Sequence, residues 1–360
     1  MSAVLDPVLR DAVATRLRDD TEVLAGTGDR SVLRRAVARA LAAEGIVASP
    51  EVWARLVRDL VDDIGGLGPL ERLLRDPAVT DVMVNAPDDV HVERDGVLER
   101  TEVSFVDDAH VHTVVARAVG PTGARLDRSH PFVDAVLDGG IRLHAILPPL
   151  VDRPTVTLRR VAPVVPSWDA LCDAGTVDDA LVDLLVTAVR SRRNVVVCGR
   201  AGVGKTTLLA RMLAEVDGDR VVVIEDTPEL RADTQHTVHL RSRSASPDGG
   251  GAVTIEQLLR NALRMRPDRI VVGEVRGVEV ADLLQAMNTG HAGMTSVHAN
   301  GADEALVRLE GMALLAGVPL AAARAQLTTA VDLVVALDRR DGTRTVTEVL
   351  DVRAGRTVWP

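Results

Sequence analysis

At 360 residues, 46% of them hydrophobic, the chain has room for two domains with buried cores, which excludes a disordered tail or a mini-protein held by disulfides. A formal net charge of −10 argues against a general electrostatic grip on nucleic acid, and with no tyrosine, two Phe and three Trp there is little to build a stacking platform for single strands. Cys172 and Cys198 stand apart without metal-ligand spacing, so they read as reduced buried thiols of a cytosolic chain, and no zinc module is implied.

In chain order, Met1 to Arg18 carries acidic residues and no long apolar run, so neither a signal peptide nor a membrane span is expected there. Residues 1–62 read as a helical N-terminal extension, because 33–41 and 53–61 place apolar residues at helical spacing with Arg between them. Residues 63–160 read as a smaller α+β domain. The turn Gly65–Pro69 opens it, and short strands are expected at Val82–Val84 and Val90–Glu93, with a hairpin turn at Arg94–Val97. A helix follows over Ala109–Val119, then a second hairpin of 133–137 and 141–147 turning at Asp138-Gly139-Gly140, then a strand at Thr155–Arg160. Two prolines and no helical signal place a linker at 161–167.

From 168 to 360 strands alternate with helices, the pattern of an α/β domain with a parallel sheet. Strands are expected at 194–198, 221–225, 269–273 and 294–298, a helix over Ile255–Met265, a polar surface loop over 241–251, and short strands at 333–337, 346–352 and 357–359. The stretch Gly199-Arg200-Ala201-Gly202-Val203-Gly204-Lys205-Thr206-Thr207 follows the first of these strands and opens a helix. Its spacing is that of a phosphate-binding loop: Gly-rich backbone N–H groups cradle phosphates, Lys205 reaches β- and γ-phosphates, and the Thr206 hydroxyl reaches Mg²⁺. Of the 42 Lys+Arg residues, Lys205 is the single lysine. A chain that otherwise uses only Arg has kept one compact ammonium where that charge shape matters.

Three further stretches place polar groups at strand ends, where ligands bind in open α/β sheets. Glu225, Asp226 and Glu229 suit binding of Mg²⁺ through water or alignment of an attacking water; Glu274, leaving the strand Ile270–Val272, suits a metal-held water or a general base. Arg260, Arg264, Arg266, Arg269 and Arg276 crowd that region, some as surface salt-bridge partners and one or two as neutralisers of phosphate in a neighbouring subunit. His291 and His298 bracket a strand expected beside the phosphate loop, from which an imidazole can sense γ-phosphate. His110, His112, His130, His236 and His239 read as interior residues.

Taken together, Gly199–Thr206, Glu225–Glu229, Ile270–Glu274 and Thr289–Asn300 resemble the Walker A loop, acidic box, Walker B and histidine box of the type II/IV secretion system and pilus-assembly ATPases. The runs 259–269 and 285–291, with Gly68–Glu71 and Pro148-Pro149, are most similar to the tight-adherence (CpaF-like) branch. The resemblance implies a RecA-like ATPase domain, ATP and Mg²⁺ as cofactors, and a hexameric motor in which hydrolysis moves one domain against the other. It implies Gly199, Gly202, Val203, Gly204, Lys205, Thr206 and Thr207 on the nucleotide, with Arg142, Arg159 and Arg160 of the first domain reaching the phosphates. It implies Glu274, Glu225, Glu229, His291 and His298 in hydrolysis, with Thr206 and Glu274 on Mg²⁺, partly through water. The expected partners are five further copies of the chain and an inner-membrane platform protein, with no nucleic acid and no direct membrane insertion. The chain is therefore expected in the cytoplasm, docked at the membrane through that partner. A RecA-like nucleic-acid translocase and a nucleotide-gated scaffold without turnover are the alternative readings.

Overall fold

The computed structural model describes residues 7–18, 20, 29–94, 96–160, 165–230, 236–243, 251–340 and 342–360. Most of the expected linker (161–164), the centre of the polar loop (244–250) and Asp95 of the first hairpin turn lie outside the described residues. The chain forms two compact units, Met1–Val161 and Ala162–Pro360.

In the first unit, helices α1 (Pro7–Arg18), α2 (Arg30–Ala43) and α3 (Pro50–Gly65) bury a shared stripe that includes Val13, Val37, Leu41 and Leu60. Asp29 caps α2 by accepting from Ser31 N, and Ser49 caps α3 ahead of Pro50 at the first helical position. Helix α3 runs on to Gly65, so residue 62, expected to end the extension, lies inside a helix.

After the short α4 (Glu71–Leu74) come β1 (Val79–Ala86), β2 (Asp89–Arg94), β3 (Val97–Arg100), α5 (Asp108–Val119), β4 (Phe132–Leu137), β5 (Ile141–Ile146) and β6 (Thr155–Arg160). The strands form an antiparallel sheet in the order β3-β2-β1-β6-β5-β4. Alternation decides its faces: Val82, Val84, Leu143, Ala145, Val156 and Leu158 are buried, whereas Arg142, Arg159 and Asp81 share one cross-strand row of the other face. A buried contact ties α5 to α3. His110 Nδ1 accepts the Val106 N–H, which leaves the ring proton on Nε2, 2.7 Å from Asp63 Oδ1.

The second unit contains α6 (Trp168–Asp173), α7 (Asp179–Arg190), β7 (Val195–Gly199), α8 (Lys205–Leu213), β8 (Val221–Glu225), β9 (Thr237–Arg241), α9 (Ile255–Ala262), β10 (Arg269–Val272), α10 (Glu279–Asn288), β11 (Ala292–Val297), α11 (Ala302–Leu315), α12 (Leu320–Ala330), β12 (Leu333–Arg340), β13 (Thr343–Asp351) and β14 (Arg356–Trp359). The sheet order is β14-β13-β12-β7-β11-β10-β8-β9, parallel from β12 to β9 and antiparallel at β13 and β14. Strands β7, β8, β10 and β11 are buried throughout, as mostly apolar strands require when helices cover both faces. Val196, Val222 and Ile270 pack with α9 to α12, and Val195, Val197 and Val223 with α7 and α8.

Strand β9 was not expected. It is an edge strand whose His239 and Arg241 face solvent, so it carries no continuous apolar run. His236 and His239 are exposed and His112 and His130 partly so, and of the five histidines expected inside only His110 is buried. Arg269 also departs from the expected surface role. Its side chain is 1% exposed and donates to Val189 O at 2.9 Å and to Asp219 Oδ2 at 3.2 Å. Cys198 is buried and Cys172 half-buried. No helix among the described residues is long and apolar enough to cross a membrane.

Candidate nucleotide site

The expected motifs meet at the carboxyl ends of β7, β8, β10 and β11. Gly199 ends β7 with φ 156°, and a Cβ there would sit 2.6 Å from the Leu337 carbonyl oxygen and 2.7 Å from Val203 Cγ2, so only glycine fits between the loop and β12. Val203 is buried under the loop, and Gly204 starts α8 at φ 100° with no side-chain cap. The first N–H groups of that helix are thus left for an anion at its positive end.

Lys205, 7% exposed, lies within this turn. Its Nζ donates to Gly199 O and Arg200 O at 3.0 Å each and to His298 Nδ1 at 3.1 Å. Burial pulls its pKa below the usual lysine value, against the Glu274 carboxylate, which holds it up. Thr206 and Thr207 follow on the first turn of α8, both partly exposed.

Because Lys205 donates to Nδ1 of His298, the ring proton sits on Nε2, which lies 2.7 Å from Glu274 Oε1. That approach lacks hydrogen-bond alignment, and buried Glu274 Oε1 has no hydrogen-bond partner. Burial lowers the pKa of His298 and Lys205 adds to the effect, with Glu274 opposing. The other oxygen, Oε2, accepts from Arg276 Nε at 2.9 Å and from Arg276 Nη2. Strands β7, β10 and β11 therefore deliver an ammonium, a carboxylate and an imidazole into one continuous cluster.

Other expected residues have other tasks. Glu225, 4% exposed, spends Oε1 on the Glu229 and Leu230 N–H groups at 3.0 and 2.8 Å, so it shapes the turn after β8. Burial pushes its carboxyl up to about 7 against those two hydrogen bonds. Glu229 lies on the same turn, partly exposed. His291 corrects the expectation that both histidines face the phosphate. It precedes β11, at the amino edge of the sheet, with Nδ1 3.2 Å from Ala286 O, and six strand residues put about 20 Å between it and the loop end of the strand.

Arg142, Arg159 and Arg160 belong to the first unit. Arg159 Nε donates to Asp81 Oδ1 at 2.7 Å, Arg142 stands opposite Arg159 across the sheet, and Arg160 donates to the Leu74 and Asp76 carbonyls. Arg276 is the residue whose position the sequence concealed: the Arg-rich stretch 260–276 marked it, but not its contact with Glu274.

The profile of the family described as "Type II/IV secretion system protein" matches residues 63–351. The chain belongs to that family. A putative conjugal transfer protein of Mycobacterium tuberculosis (strain H37Rv) is 43% identical over 330 residues, which cover 87% of this chain and 94% of the relative. Conjugal transfer protein TrbB of Rhizobium radiobacter is 33% identical over 310 residues, covering 84% and 92%. Both relatives carry conjugal-transfer names, and neither name singles out the tight-adherence branch. Among solved structures, the ATPase DotB of Legionella pneumophila superposes with TM-score 0.59 at 20% identity, covering 79% of this chain and 80% of its own. The pilus retraction motor PilT with bound ADP gives 0.58 at 19%, covering 78% and 82%. These two structures share the mixed α/β fold.

Proposed function

We propose that this family member is an ATP-hydrolysing motor that works as a homo-hexamer and powers protein secretion or pilus assembly. The observation that carries the reading is the Lys205–His298–Glu274 cluster at the ends of three parallel strands, with a glycine-capped helix N-terminus beside it. These residues fit a nucleoside triphosphate with Mg²⁺: an ammonium now held by loop carbonyls, uncapped N–H groups, and a carboxylate oxygen with an unused acceptor site. Gly199 to Thr207 would hold the phosphates, and Thr206 with Glu274 would hold Mg²⁺, partly through water. The metal would supply charge neutralisation at the transferred phosphoryl group.

Glu274 Oε1 would accept a proton from the water whose oxygen attacks the terminal phosphorus as the P–O bond to the leaving nucleoside diphosphate breaks, and His298 lies between that carboxylate and Lys205. Glu225 and Glu229 build the turn that flanks this cluster. Arg142, Arg159 and Arg160 are read as the first unit's contribution to the phosphates, and movement between the two units as the power stroke. Docking at the inner face of the cell membrane is read as running through a platform protein, as the family resemblance implies.

The test is steady-state phosphate release by the purified chain, alongside Glu274→Gln and a fluorescent ATP analogue. We expect hydrolysis by the parent, and in Glu274→Gln analogue binding with turnover lowered about 10²- to 10⁴-fold to a small residual rate. A parent that binds the analogue yet releases no phosphate would sink the motor and leave a nucleotide-gated scaffold. Because relatives carry conjugal-transfer names, the assay is repeated with DNA, where no stimulation is expected from a chain of net charge −10. Mass measurement with a nonhydrolysable analogue should show the hexamer, and a strict monomer would remove the ring.

A further inference from the structure

The geometry points to Arg276 as the positioning residue of the Glu274 carboxylate, clamping Oε2 so that Oε1 alone is presented as the proton acceptor. This rests on the reading of Glu274 as the carboxylate that serves hydrolysis. Three observations carry it.

First, Arg276 engages Oε2 with two donors, Nε at 2.9 Å and Nη2, while Oε1 has no aligned hydrogen-bond donor and faces only His298 Nε2 at 2.7 Å. A carboxylate held by one oxygen cannot rotate to exchange the two, so the clamp fixes which lone pairs face the loop. Second, the backbone under Arg276 is pinned independently. Glu279 Oε1 accepts the Arg276 and Gly277 N–H groups at 2.6 and 2.9 Å, so the guanidinium works from a fixed base. Third, Arg276 lines a cavity of about 380 Å³ with Asp226, Ser242, Arg243 and Glu279, and Asp226 and Glu229 act on it as further opposite charges, so the acidic stretch after β8 favours the charged guanidinium beside Glu274.

A merely structural staple is the competing account. The Arg276 side chain is 58% exposed, and exposed ion pairs contribute little to stability, so the fold does not depend on this one. Arg276 hydrogen-bonds Glu274, and its charge also acts at longer range on Lys205 and His298, so the cycle with Glu274→Gln isolates the part of its effect that passes through the carboxylate.

The experiment is a double-mutant cycle of Arg276→Ala and Glu274→Gln, read by single-turnover phosphate release and by affinity for the fluorescent ATP analogue. General-base catalysis contributes about 10²–10⁴-fold, so loss of its alignment should lower the rate of Arg276→Ala by about 10- to 100-fold, with analogue affinity within about twofold of the parent. In the Glu274→Gln background, Arg276→Ala should cost nothing more. Added guanidinium should restore part of the rate to Arg276→Ala and none to the double variant. Arg276→Lys, which keeps the charge and gives one donor direction in place of a fork, should fall between parent and Ala, and serves if the Ala variant fails to fold.

An equal loss in both backgrounds would overturn the proposal, as would a parent-like rate in Arg276→Ala. A tenfold or greater loss of analogue affinity would also overturn it, by making Arg276 a phosphate ligand. If the parent itself binds no analogue, the functional reading fails, a result distinct from any of these.

Discussion

Replacing Glu225 by Gln tests whether this buried acid is a proton-holding clamp. Its carboxyl is pushed from 4.5 up to about 7 by burial, with the Glu229 and Leu230 N–H groups opposing. Between those two values the native state binds a proton that the unfolded chain has released, so stability falls as pH rises through the window. The stability owed to the protonated form is complete below 4.5 and lost above about 7. Integrating the two titrations gives a loss of about 2–3 kcal/mol between pH 5 and pH 8. Glutamine stays neutral and keeps a carbonyl oxygen for the two N–H donors, so the variant should lack this loss. The difference in thermal midpoint, variant minus parent, should therefore rise by about 5–10 °C over that range, since 1 kcal/mol moves a unit of this size by about 2–4 °C. Calorimetric scans of both proteins at pH 5, 6, 7 and 8 supply the comparison. A difference that stays flat, or that falls with pH, would mean the hydrogen bonds outweigh burial and Glu225 is ionised in the native state.

Two other sites lend themselves to direct measurement. Asn194 is buried, takes the Gly293 N–H on Oδ1 at 2.7 Å and donates Nδ2 to Ala330 O, so Asn194→Ala strands both groups at about 1–3 kcal/mol each; urea unfolding should show the combined loss, and a change under about 1 kcal/mol would disprove the bridge. Lys205 is the single lysine, so an amine-directed acylating reagent followed by peptide mass mapping reads its accessibility alone. At ten times Kd the site is about nine-tenths filled, and ATP should lower acylation about tenfold; modification unaffected by ATP would place the nucleotide elsewhere.

The parallel strands and the phosphate loop were legible because each is a local signal. Val195–Cys198 and Val221–Ile224 are unbroken apolar runs, and the loop's glycines and lysine are contiguous in the chain. What sequence could not convey was direction along a strand. His291 and His298 look equivalent in a row of letters, yet one precedes β11 and the other follows it, and only the second lies with Lys205. Edge strand β9 escaped for a related reason: with one side open to solvent, its histidine and arginine interrupt the apolar signal. The exposed histidines were misplaced because residue type says little about depth. The pairing of Arg276 with Glu274 depends on how a turn folds two residues back on themselves, which spacing does not determine.

Gly199 has a mechanical consequence. Its Cα hydrogen faces the Leu337 carbonyl oxygen at a distance no side chain tolerates, and β12 is paired to β7 from Leu333 to Leu337. The near rim of the phosphate loop is thus as stiff as the sheet itself. The far rim differs, since a Cβ at Gly202 would meet nothing within 4 Å. A side chain would therefore find space at Gly202 and be blocked at Gly199, so substitutions separate the two rims.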